Sequence, residues 1–380
     1  MTVRVNKQPF NLREKLSELE RPIGLKGSEL MKSETAQDAR DLVSAGRKNL
    51  VLNGDMRINQ RGSGVLTGST AFPVDRFSTF VGIGNYSVEQ YSLSSGDGPP
   101  TQKFNHSLRV KSTSGNLTAS NAYAQINYRF ENTDLFNSGW DYTGNTGNTS
   151  DNNYLTISFW VRSSVDSDFN WMFLTHDGTG QVFRAEVVAC IGGVWKKIVA
   201  KLPPNPGITL SNGVTNGASL YLFPMLGTNY TSTPTNPNGW ETWNGTKYGV
   251  GGDNGIPWGG TSGATFDITG LQVEVGKNAT EFEHRSYGEE LALCQRYYEE
   301  NKNNNYTATG YHTSFIRSGM QFQVQKRAAP TVSITSATNS AGSSLTLSIG
   351  NASTMGFNFS MNSAGTSYGV RLSYTANAEL

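Results

Sequence analysis

The sequence predicts a mainly β protein that carries a short helical arm at its N-terminus. Of its 380 residues, 36% are hydrophobic and 16% are charged, which is typical of a folded chain and argues against disorder along the whole length. The 42 glycines, together with many Asn, Ser and Thr residues, favour numerous turns between short strands. After about residue 50, apolar and polar residues alternate in many short segments, as they do in half-buried strands. The length suits about two domains and an extension.

Charge and hydropathy exclude several classes of partner. The 31 basic and 30 acidic residues give a net charge of +1, so the chain lacks the basic footprint that a nucleic-acid backbone requires. No run of about 18 apolar residues is present that would span a membrane. The first residues also lack the apolar core of a secretory signal. We therefore expect no nucleic-acid partner, no membrane insertion and no export by the general secretory route.

Residues 1–49 differ in character from the rest of the chain. They contain 17 charged residues, against 44 in the remaining 331. Asn11 and Glu14 have the spacing of a capping box, and Pro22 stops the helix that they begin. A second helix is predicted over residues 33–45 from its apolar spacing. This region is therefore predicted to be a helical arm.

The apolar stripes of these two helices are narrow. Their main residues are Leu12, Leu16, Leu19, Leu42 and Val43. Helices shorter than about 12–15 residues are marginal in water unless they pack against something. We therefore expect residues 1–49 to be an attachment arm, with its stripes buried by symmetry copies of the chain or by another protein. The alternative is an arm that folds back on the next domain.

Residues 50–285 predict a jelly-roll β-sandwich. In residues 154–162, Leu155, Ile157 and Phe159 alternate with polar or amphipathic neighbours. The same alternation recurs at Leu108 and Val110, at Ile126, Tyr128 and Phe130, at Leu220 and Leu222, and at Leu271, Val273 and Val275. Many short strands separated by Gly, Asn and Pro stretches indicate two packed antiparallel sheets.

Two long loops, residues 137–153 and 228–263, interrupt the predicted strands. Loops of this length are commonly functional. They hold aromatic residues that strand periodicity does not explain, and we predict that the following ones stack on sugar rings: Trp140, Tyr142, Trp240, Trp243, Tyr248 and Trp258. Tyr230 lies in the same loops. The alternative is that these rings anchor their own loops or pack on a neighbouring subunit.

The last hundred residues predict a helix followed by a second β region. Ser286 and Glu289 have capping-box spacing, and a linking helix is expected over residues 286–301, ending in an asparagine-rich loop. Residues 302–380 then alternate cleanly, at Met320, Phe322 and Val324, at Leu345, Leu347 and Ile349, at Phe357, Phe359 and Met361, and at Val370, Leu372 and Tyr374. A β domain of about 80 residues has a marginal core, so we expect association to add burial.

Two motifs at the edges of the predicted sandwich resemble a known family. Residues 49–56 (NLVLNGDM) and 266–276 (FDITGLQVEVG) look like the first and last strands of the carbohydrate-binding-module-like jelly rolls of phage structural proteins. In such modules a structural calcium often lies near the edge strands, which makes Asp55 and Asp267 candidate ligands. Calcium takes 6–8 oxygen ligands, and the sequence does not supply such a set, so the metal stays unassigned.

Further motifs resemble phage tail-fibre and virion appendage proteins. These are residues 279–285 (ATEFEHR), 294–298 (CQRYY) and 327–330 (RAAP). Residues 6–16 (NKQPFNLREKL) and 23–27 (IGLKG) look like the attachment end of fibre proteins from phages of cyanobacteria. The resemblance implies three chains around an axis. It also implies that residues 1–49 dock on tail, neck or portal-adaptor proteins of a virion.

Motifs for catalysis are absent from the sequence. The four histidines have no zinc-site spacing, and neither a nucleophile elbow nor a phosphate loop occurs. His176 and Asp177 are adjacent, which favours surface polarity over a proton relay. Glu241, Asp253 and Glu281 are carboxylates without a special context, although glycoside hydrolysis needs only two. We expect no enzymatic activity and no cofactor, with Cys190 and Cys294 as buried thiols.

Two functions are consistent with these observations. The first is a structural virion component, a homotrimeric fibre or appendage that docks through its N-terminus and adheres to a host surface glycan. The second is a glycan-active enzyme or a free carbohydrate-binding module, with the tryptophan-bearing loops as its groove. The tail, neck or head location and the receptor stay open.

Overall fold

The computed structural model describes eight stretches of the chain. They are residues 48–62, 70–144, 151–233, 238–252, 254–306, 316–339, 344–361 and 370–380. Residues 49–380 form one compact unit. The predicted helical arm, with Leu12, Leu16, Leu19, Leu42 and Val43, lies outside the described residues, and its role stays a prediction.

Strands dominate the described residues. In chain order they are β1 (Thr70–Val74), β2 (Phe77–Val81), β3 (Tyr86–Ser92), β4 (His106–Ser112), β5 (Tyr123–Glu131), β6 (Leu155–Ser163), β7 (Ser167–Thr175), β8 (Gln181–Arg184), β9 (Val188–Cys190), β10 (Lys196–Leu202), β11 (Asn216–Leu226), β12 (Thr231–Ser232), β13 (Gly239–Thr242), β14 (Gly249–Val250), β15 (Thr265–Val275), β16 (Tyr298–Tyr306), β17 (Ile316–Gln321), β18 (Thr331–Asn339), β19 (Ser348–Ala352), β20 (Gly356–Met361) and β21 (Val370–Asn377). The helices are α1 (Asn132–Phe136), α2 (Ile256–Gly260) and α3 (Tyr287–Gln295). Within these stretches no helix is long and apolar enough to cross a membrane.

Strands β1 to β11, β13 and β15 build a two-sheet sandwich, and β12 and β14 form a separate two-stranded parallel ladder. The larger sheet has the order β1-β2-β5-β11-β7-β8-β13, with β9 paired to β7, and the smaller sheet has the order β10-β6-β15-β4-β3. Neighbouring strands in both sheets are antiparallel. The chain passes repeatedly from one sheet to the other, as in a jelly roll. The predicted mainly β fold with a central jelly-roll sandwich is confirmed.

The core lies between the two sheets. Leu155, Ile157 and Phe159 of β6 are fully buried, as their alternation predicts. Rings from the two sheets meet edge to face, with centroid distances of 6.0 Å from Phe159 to Trp171 and 5.4 Å from Phe169 to Phe266. Aromatic pairs prefer this geometry because the positive ring edge approaches the negative ring face. The core is therefore specified by contacts across the sheets as well as by burial.

The outer face of the smaller sheet is closed by a charged ladder. Asp267 accepts hydrogen bonds from Arg109 at 2.7 Å and from Arg162 at 2.9 Å. Arg109 stacks on Tyr91 and Arg162 on Trp195, at 3.2 and 4.7 Å from the ring centroids. Two guanidinium groups thus occupy the Asp267 carboxylate. Both carboxylate oxygens of Asp267, a candidate calcium ligand, therefore already accept hydrogen bonds from arginine.

Residues 49–56 belong to the sandwich but form turns instead of the expected first strand. The buried Asn49 side chain accepts hydrogen bonds from the backbone N–H groups of Val51 and Val273, both at 3.0 Å. Asn53 and Met56 have φ angles of 59° and 61°. These left-handed conformations interrupt a strand ladder. The Asn49 side chain and two backbone hydrogen bonds, from Leu50 N–H to the Val273 carbonyl at 2.8 Å and from Leu271 N–H to the Gly54 carbonyl at 2.9 Å, therefore attach this segment to β15.

Helix α3 begins as predicted and ends earlier than predicted. The Ser286 hydroxyl accepts a hydrogen bond from the backbone N–H of Glu289, so this half of the capping box is confirmed. The helix ends at Gln295, and β16 starts at Tyr298. Residues 301–305 therefore lie in a strand, where a loop was expected. Pairing with β21 explains this, because cross-strand partners override the low strand propensity of asparagine.

The C-terminal β region has its own core. Its two sheets have the orders β16-β21-β18 and β17-β20-β19. Leu372, Tyr374 and Phe359 are at most 1% exposed within the single chain. The expected alternation of Phe357, Phe359 and Met361 is confirmed by their burial. A single chain thus buries the centre of this small region, and association is not needed to cover these side chains.

A buried ion pair lies in this C-terminal core. The Lys326 ammonium group donates to Glu299 Oε2 at 2.6 Å, and the Tyr374 hydroxyl donates to Glu299 Oε1 at 2.6 Å. The Lys326 and Glu299 side chains are at most 1% exposed. Burial lowers the pKa of Lys326, and Glu299 opposes that shift. Each charged group is therefore stabilised by its partner in place of water.

An arginine cluster joins the C-terminal region to the sandwich. Arg61 and Arg76 both pair with Glu379, and Arg61 also pairs with Asp75 at 3.2 Å. Arg76 lies 3.4 Å from the ring centroid of Tyr297. Burial raises the pKa of Asp75 to about 6, and Arg61 opposes that shift. Buried charges with partners from both regions fix how the two pack.

Replacement of Lys326 by methionine should destabilise the protein strongly. The variant leaves the Glu299 carboxylate buried without its cation, which should lower the unfolding free energy by about 3–5 kcal/mol. Urea denaturation measures the change. Lys302, whose side chain is 60% exposed and paired with Glu300, provides the control. Lys302→Met should change the unfolding free energy by less than about 0.5 kcal/mol, and equal losses in both variants would contradict the assignment.

Candidate functional site

Two of the predicted glycan-contacting tryptophans are core residues. Trp258 of α2 is 0% exposed and Trp140 is 3% exposed. Trp140 Nε1 donates to the carbonyl of Asn153 at 3.2 Å, which ties its loop down. A sugar cannot stack on a ring that the protein already covers on both faces. The structure therefore removes Trp140 and Trp258 from the candidate binding residues and supports the alternative that they anchor their loops.

Trp240 and Tyr142 also pack on the main core. Trp240 lies on β13 and meets Phe183 and Phe173 edge to face, at centroid distances of 5.7 and 6.2 Å. Its Nε1 donates to the carbonyl of Pro203 at 2.7 Å. Tyr142 contacts Trp140 at a centroid distance of 5.7 Å. Both side chains are partly buried and have structural partners, so neither is a free sugar platform.

Trp243 and Tyr248 lie on the outer face of the larger sheet. They belong to residues 238–252, of which 243–250 cover that face and are called the strap below. With Tyr230 they pack on an apolar cluster on this face, which consists of Met172, Leu174, Val182, Phe223 and Leu226. Trp243 and Tyr248 meet at a centroid distance of 5.0 Å. The strap thus covers the part of the sheet formed by β7 and β8.

Beside the strap, the same sheet face forms a groove with a volume of about 290 Å³. Its described lining residues are Phe80, Tyr123, Gln125, Tyr221, Phe223, Leu226, Tyr230 and Tyr248. These residues are called the aromatic groove below. Of the six predicted residues, only Tyr248 lines it. Pockets of this kind, largely apolar with a few polar groups, are the usual form of small-ligand sites.

Strand register places the groove residues together. Antiparallel pairing sets Phe80 of β2 opposite Gln125 of β5, and Tyr221 of β11 opposite Asn127 of β5. Successive residues of a strand point to opposite faces, so Tyr123 and Gln125 point away from the core that receives Ile126. The predicted alternation therefore already identified the outward strand positions, but the predicted glycan-contacting residues were all placed in the two long loops. The missed signal is the presence of aromatic residues at outward strand positions.

The aromatic rings form a continuous chain of contacts. The Tyr123 ring lies 5.5 Å from Phe80 and 5.0 Å from Tyr230. Tyr248 lies 6.2 Å from Tyr230 and 6.3 Å from Tyr221. These contacts hold the rings in fixed orientations before any ligand arrives. Such preorganisation reduces the entropy that a ligand must overcome on binding.

The polar groups of the groove are neutral. Within the described residues, no hydrogen-bond partner is present for the hydroxyls of Tyr123, Tyr221, Tyr230 and Tyr248, so these hydroxyls are open to a ligand. Burial raises the pKa of Tyr123, and the neighbouring Tyr230 and Tyr248 add to that shift. Burial likewise raises the pKa of Tyr248, helped by Tyr221 and Tyr230. The Tyr123 and Tyr248 hydroxyls therefore stay protonated, and a protonated phenol can both donate and accept hydrogen bonds.

Backbone contacts position Tyr248 over the sheet. Its N–H donates to the carbonyl of Tyr230 at 2.7 Å, and the next residue pairs with Thr231 in the short parallel ladder of β12 and β14. The fully buried Asn170 accepts a hydrogen bond from the N–H of Val250 at 3.0 Å. A Cβ atom on Gly249 would overlap the side chains of Leu226 and Asn170. Glycine is therefore required where the strap approaches the sheet.

Other candidate residues do not form a second site. Asp55 pairs with Arg57 at 3.1 Å, and the described residues contain no group of three or more His, Cys, Asp or Glu side chains suited to a metal. Glu241 pairs with Arg184. His176 contacts the hydroxyl of Ser219 at 2.9 Å, and burial lowers its pKa.

The two cysteines are structural. Cys190 and Cys294 are both free and buried, which confirms the expected buried thiols. Burial raises the pKa of Cys190 to about 11 and raises the pKa of Cys294 well above its usual value. A thiol is a nucleophile only as the thiolate, so both are unreactive at neutral pH.

Comparison with known proteins gives likenesses of low similarity. No protein-family model and no curated protein matches the chain. A family 11 carbohydrate-binding module from a cellulosomal cellulase of Clostridium thermocellum is similar at 14% identity and a TM-score of 0.27, over 58% of this chain and 99% of that one. A xylan-binding family 22 module from Paenibacillus barcinonensis gives 13% and 0.28, over 62% and 100%. The enzymatically active domain of tailspike protein 4 from bacteriophage CBA120 gives 11% and 0.27, over 60% and 21%. None of these likenesses says what this chain binds.

Replacement of Gly249 by alanine should loosen the strap. The added methyl group overpacks the contact with the sheet at a cost of about 1–3 kcal/mol, so amide exchange at Tyr248 and Val250 should accelerate about 5- to 150-fold. Hydrogen exchange measured by NMR reports these amides. Gly252→Ala is the matched control, because a Cβ atom there meets nothing within 4 Å. Equal acceleration in both variants would show that strap position does not depend on Gly249.

Proposed function

We propose that the protein binds glycans through the aromatic groove. The observation that carries the proposal is the convergence of four tyrosine hydroxyls, one amide side chain and several partly buried aromatic rings on one sheet face. A sugar ring presents an apolar C–H face and a rim of hydroxyl groups. Aromatic faces bind the first, and neutral hydroxyl and amide groups bind the second. The groove offers both sets at once.

Binding, without cleavage, is the activity that we propose for this site. Glycoside hydrolysis uses two carboxyl groups about 5–10 Å apart at the scissile bond. The described residues of the aromatic groove bring no carboxyl group into it. Among the candidates, Glu241 is held by Arg184 at the far edge of the sheet. The proposal therefore assigns no catalytic residue.

The biological setting that we propose is a virion appendage. In this proposal three copies of the chain form a fibre-like assembly, residues 1–49 dock on tail, neck or portal-adaptor proteins, and the sandwich meets a host surface glycan. The motif resemblance at residues 279–285 and 327–330 and the narrow apolar stripes of the arm support it. A free carbohydrate-binding module fits the groove equally well, and the state of assembly separates the two.

Removal of groove rings should weaken glycan binding. Tyr221→Ala and Tyr248→Ala each remove one ring and one hydroxyl, and we expect each to lower affinity about tenfold, or about 1.4 kcal/mol. A glycan array identifies ligands, and isothermal titration calorimetry measures affinity. Tyr287, which is 58% exposed on α3 and away from the groove, gives the control variant Tyr287→Ala. Unchanged affinity in both groove variants would place the site elsewhere.

The proposed assembly predicts a trimer that depends on the arm. Native mass spectrometry of the full chain at micromolar concentration should show three times the monomer mass. Deletion of residues 1–48 should preserve the β signal in circular dichroism, because residues 49–380 form a compact unit. The same deletion should abolish docking on the virion. The cut precedes Asn49 because that side chain is buried and bonded to the sheet. A full-length monomer would refute the assembly and favour the free module.

A further inference from the structure

The aromatic groove presents no charge to a ligand. Its described lining consists of aromatic, aliphatic and amide side chains, without a carboxylate, an ammonium or a guanidinium group. Protein sites for anionic groups normally supply Arg or Lys, which bind carboxylate and sulfate oxygens through charge-assisted hydrogen bonds. We infer that the groove selects uncharged glycans and excludes those that carry carboxylate or sulfate groups at the bound sugar. This inference rests on the proposed glycan binding.

Charged residues on the same sheet face are already engaged. Arg184 pairs with Glu241 and also donates to the Ser232 hydroxyl at 2.7 Å. Arg129 donates to an oxygen of Leu380. Neither guanidinium group can turn to an anionic ligand without breaking these contacts.

The strap holds its own lysine as well. The Lys247 ammonium group donates to the carbonyl of Asn229 at 2.7 Å, and this bond connects the strap to the segment that carries Tyr230. If Lys247 moved to reach a sugar acid, it would release that connection. The charged groups around the groove are therefore held by their own partners, and this keeps the groove uncharged.

The ring faces add a repulsive element. Each aromatic ring has a negative face, and the rings of Tyr221 and Phe223 lie parallel, 9° apart in plane with their centroids 6.0 Å apart. A ligand carboxylate placed against these rings would lose its hydration water without gaining a cationic partner. The raised pKa values of Tyr123 and Tyr248 report the same environment, since the groove also disfavours the phenolate charge. Discrimination against anions thus needs no further side chain.

Gln125 is the lining residue at which this selectivity can be altered by a change of charge. It is the one amide side chain of the described lining, and it lies opposite Phe80 on the neighbouring strand. A carboxamide both donates and accepts, which suits two adjacent sugar hydroxyls. A ligand carboxylate in place of those hydroxyls could accept a hydrogen bond from the NH2 group of Gln125 but could donate none to its carbonyl oxygen. Gln125 is therefore the position where a charge change should alter ligand choice.

The test uses pairs of glycans that share one backbone and differ in their charged groups. The probes are dextran and dextran sulfate, and cellohexaose and its form oxidised at C6 to uronic acids. For every neutral probe that binds the full-length protein, we expect its anionic counterpart to bind at least about tenfold more weakly. Affinity for the neutral probe should not change between about 0.05 and 1 M salt, because no ion pair forms.

Two matched variants locate the effect. Gln125→Lys places a cation in the groove and should raise affinity for the anionic member of a pair at least about tenfold. Gln325→Lys adds the same charge at an exposed position of the C-terminal region and should leave both members unchanged. Circular dichroism verifies that each variant is folded. If Gln125→Lys is misfolded, Gln125→Glu takes its place and should further weaken binding of the anionic member.

The outcomes separate the inference from the proposed function. Neutral binding with exclusion of anions, reversed by Gln125→Lys, supports both. Equal or tighter binding of anionic probes by the unmodified protein overturns the inference and leaves glycan binding intact. If the neutral probes bind and no substitution of Gln125 changes the affinity for any probe, the roles of Gln125 and of the groove are overturned. Failure of every neutral and anionic probe, and of the wider array, overturns the proposed function and the inference with it.

Discussion

The structure depends on a sheet that is apolar on both faces. Strands β7 and β11 bury Trp171 and Leu222 in the sandwich core, while Met172 and Phe223 point the other way. Water opposes exposure of that second face as strongly as of the first, so the chain must cover it. The strap covers the part over β7 and β8, and its residue Tyr248 also lines the aromatic groove. The aromatic groove is the part of the face that lies just beyond this cover.

This arrangement links the candidate site to the stability of the fold. Tyr248 belongs both to the apolar cluster that the strap closes and to the lining of the groove. Its position depends on the hydrogen bond from Val250 to Asn170 and on the absence of a side chain at Gly249. Elsewhere in the protein, buried charged groups are paired: Asp267 and Lys326 are buried together with their counter-ions. Unpaired charge is thereby kept out of the sheets, and the described lining of the groove is likewise uncharged.

Several features could be predicted from the sequence because they depend on near neighbours. The alternation around Phe159, the cap at Ser286 and the burial of both cysteines are confirmed. The candidate site was predicted in part: its chemistry was expected to be aromatic, and Tyr248 lines it. Trp258 and Trp140 were misplaced because a tryptophan in a Gly-rich loop has the same local pattern whether the loop is exposed or folded into the core.

The sequence by itself determined most strands, their inward faces and the aromatic character of the candidate site, because a period of two residues and side-chain chemistry are local properties. Only the tertiary structure decided which outward residues meet. Phe80, Tyr123, Tyr221 and Tyr248 come from four separate segments, and register and sheet order bring them to one groove. The capture of Asp267 by two arginines was decided in the same way. Pairing between distant strands carries no periodic signal along the chain, so such sites become visible only in the fold.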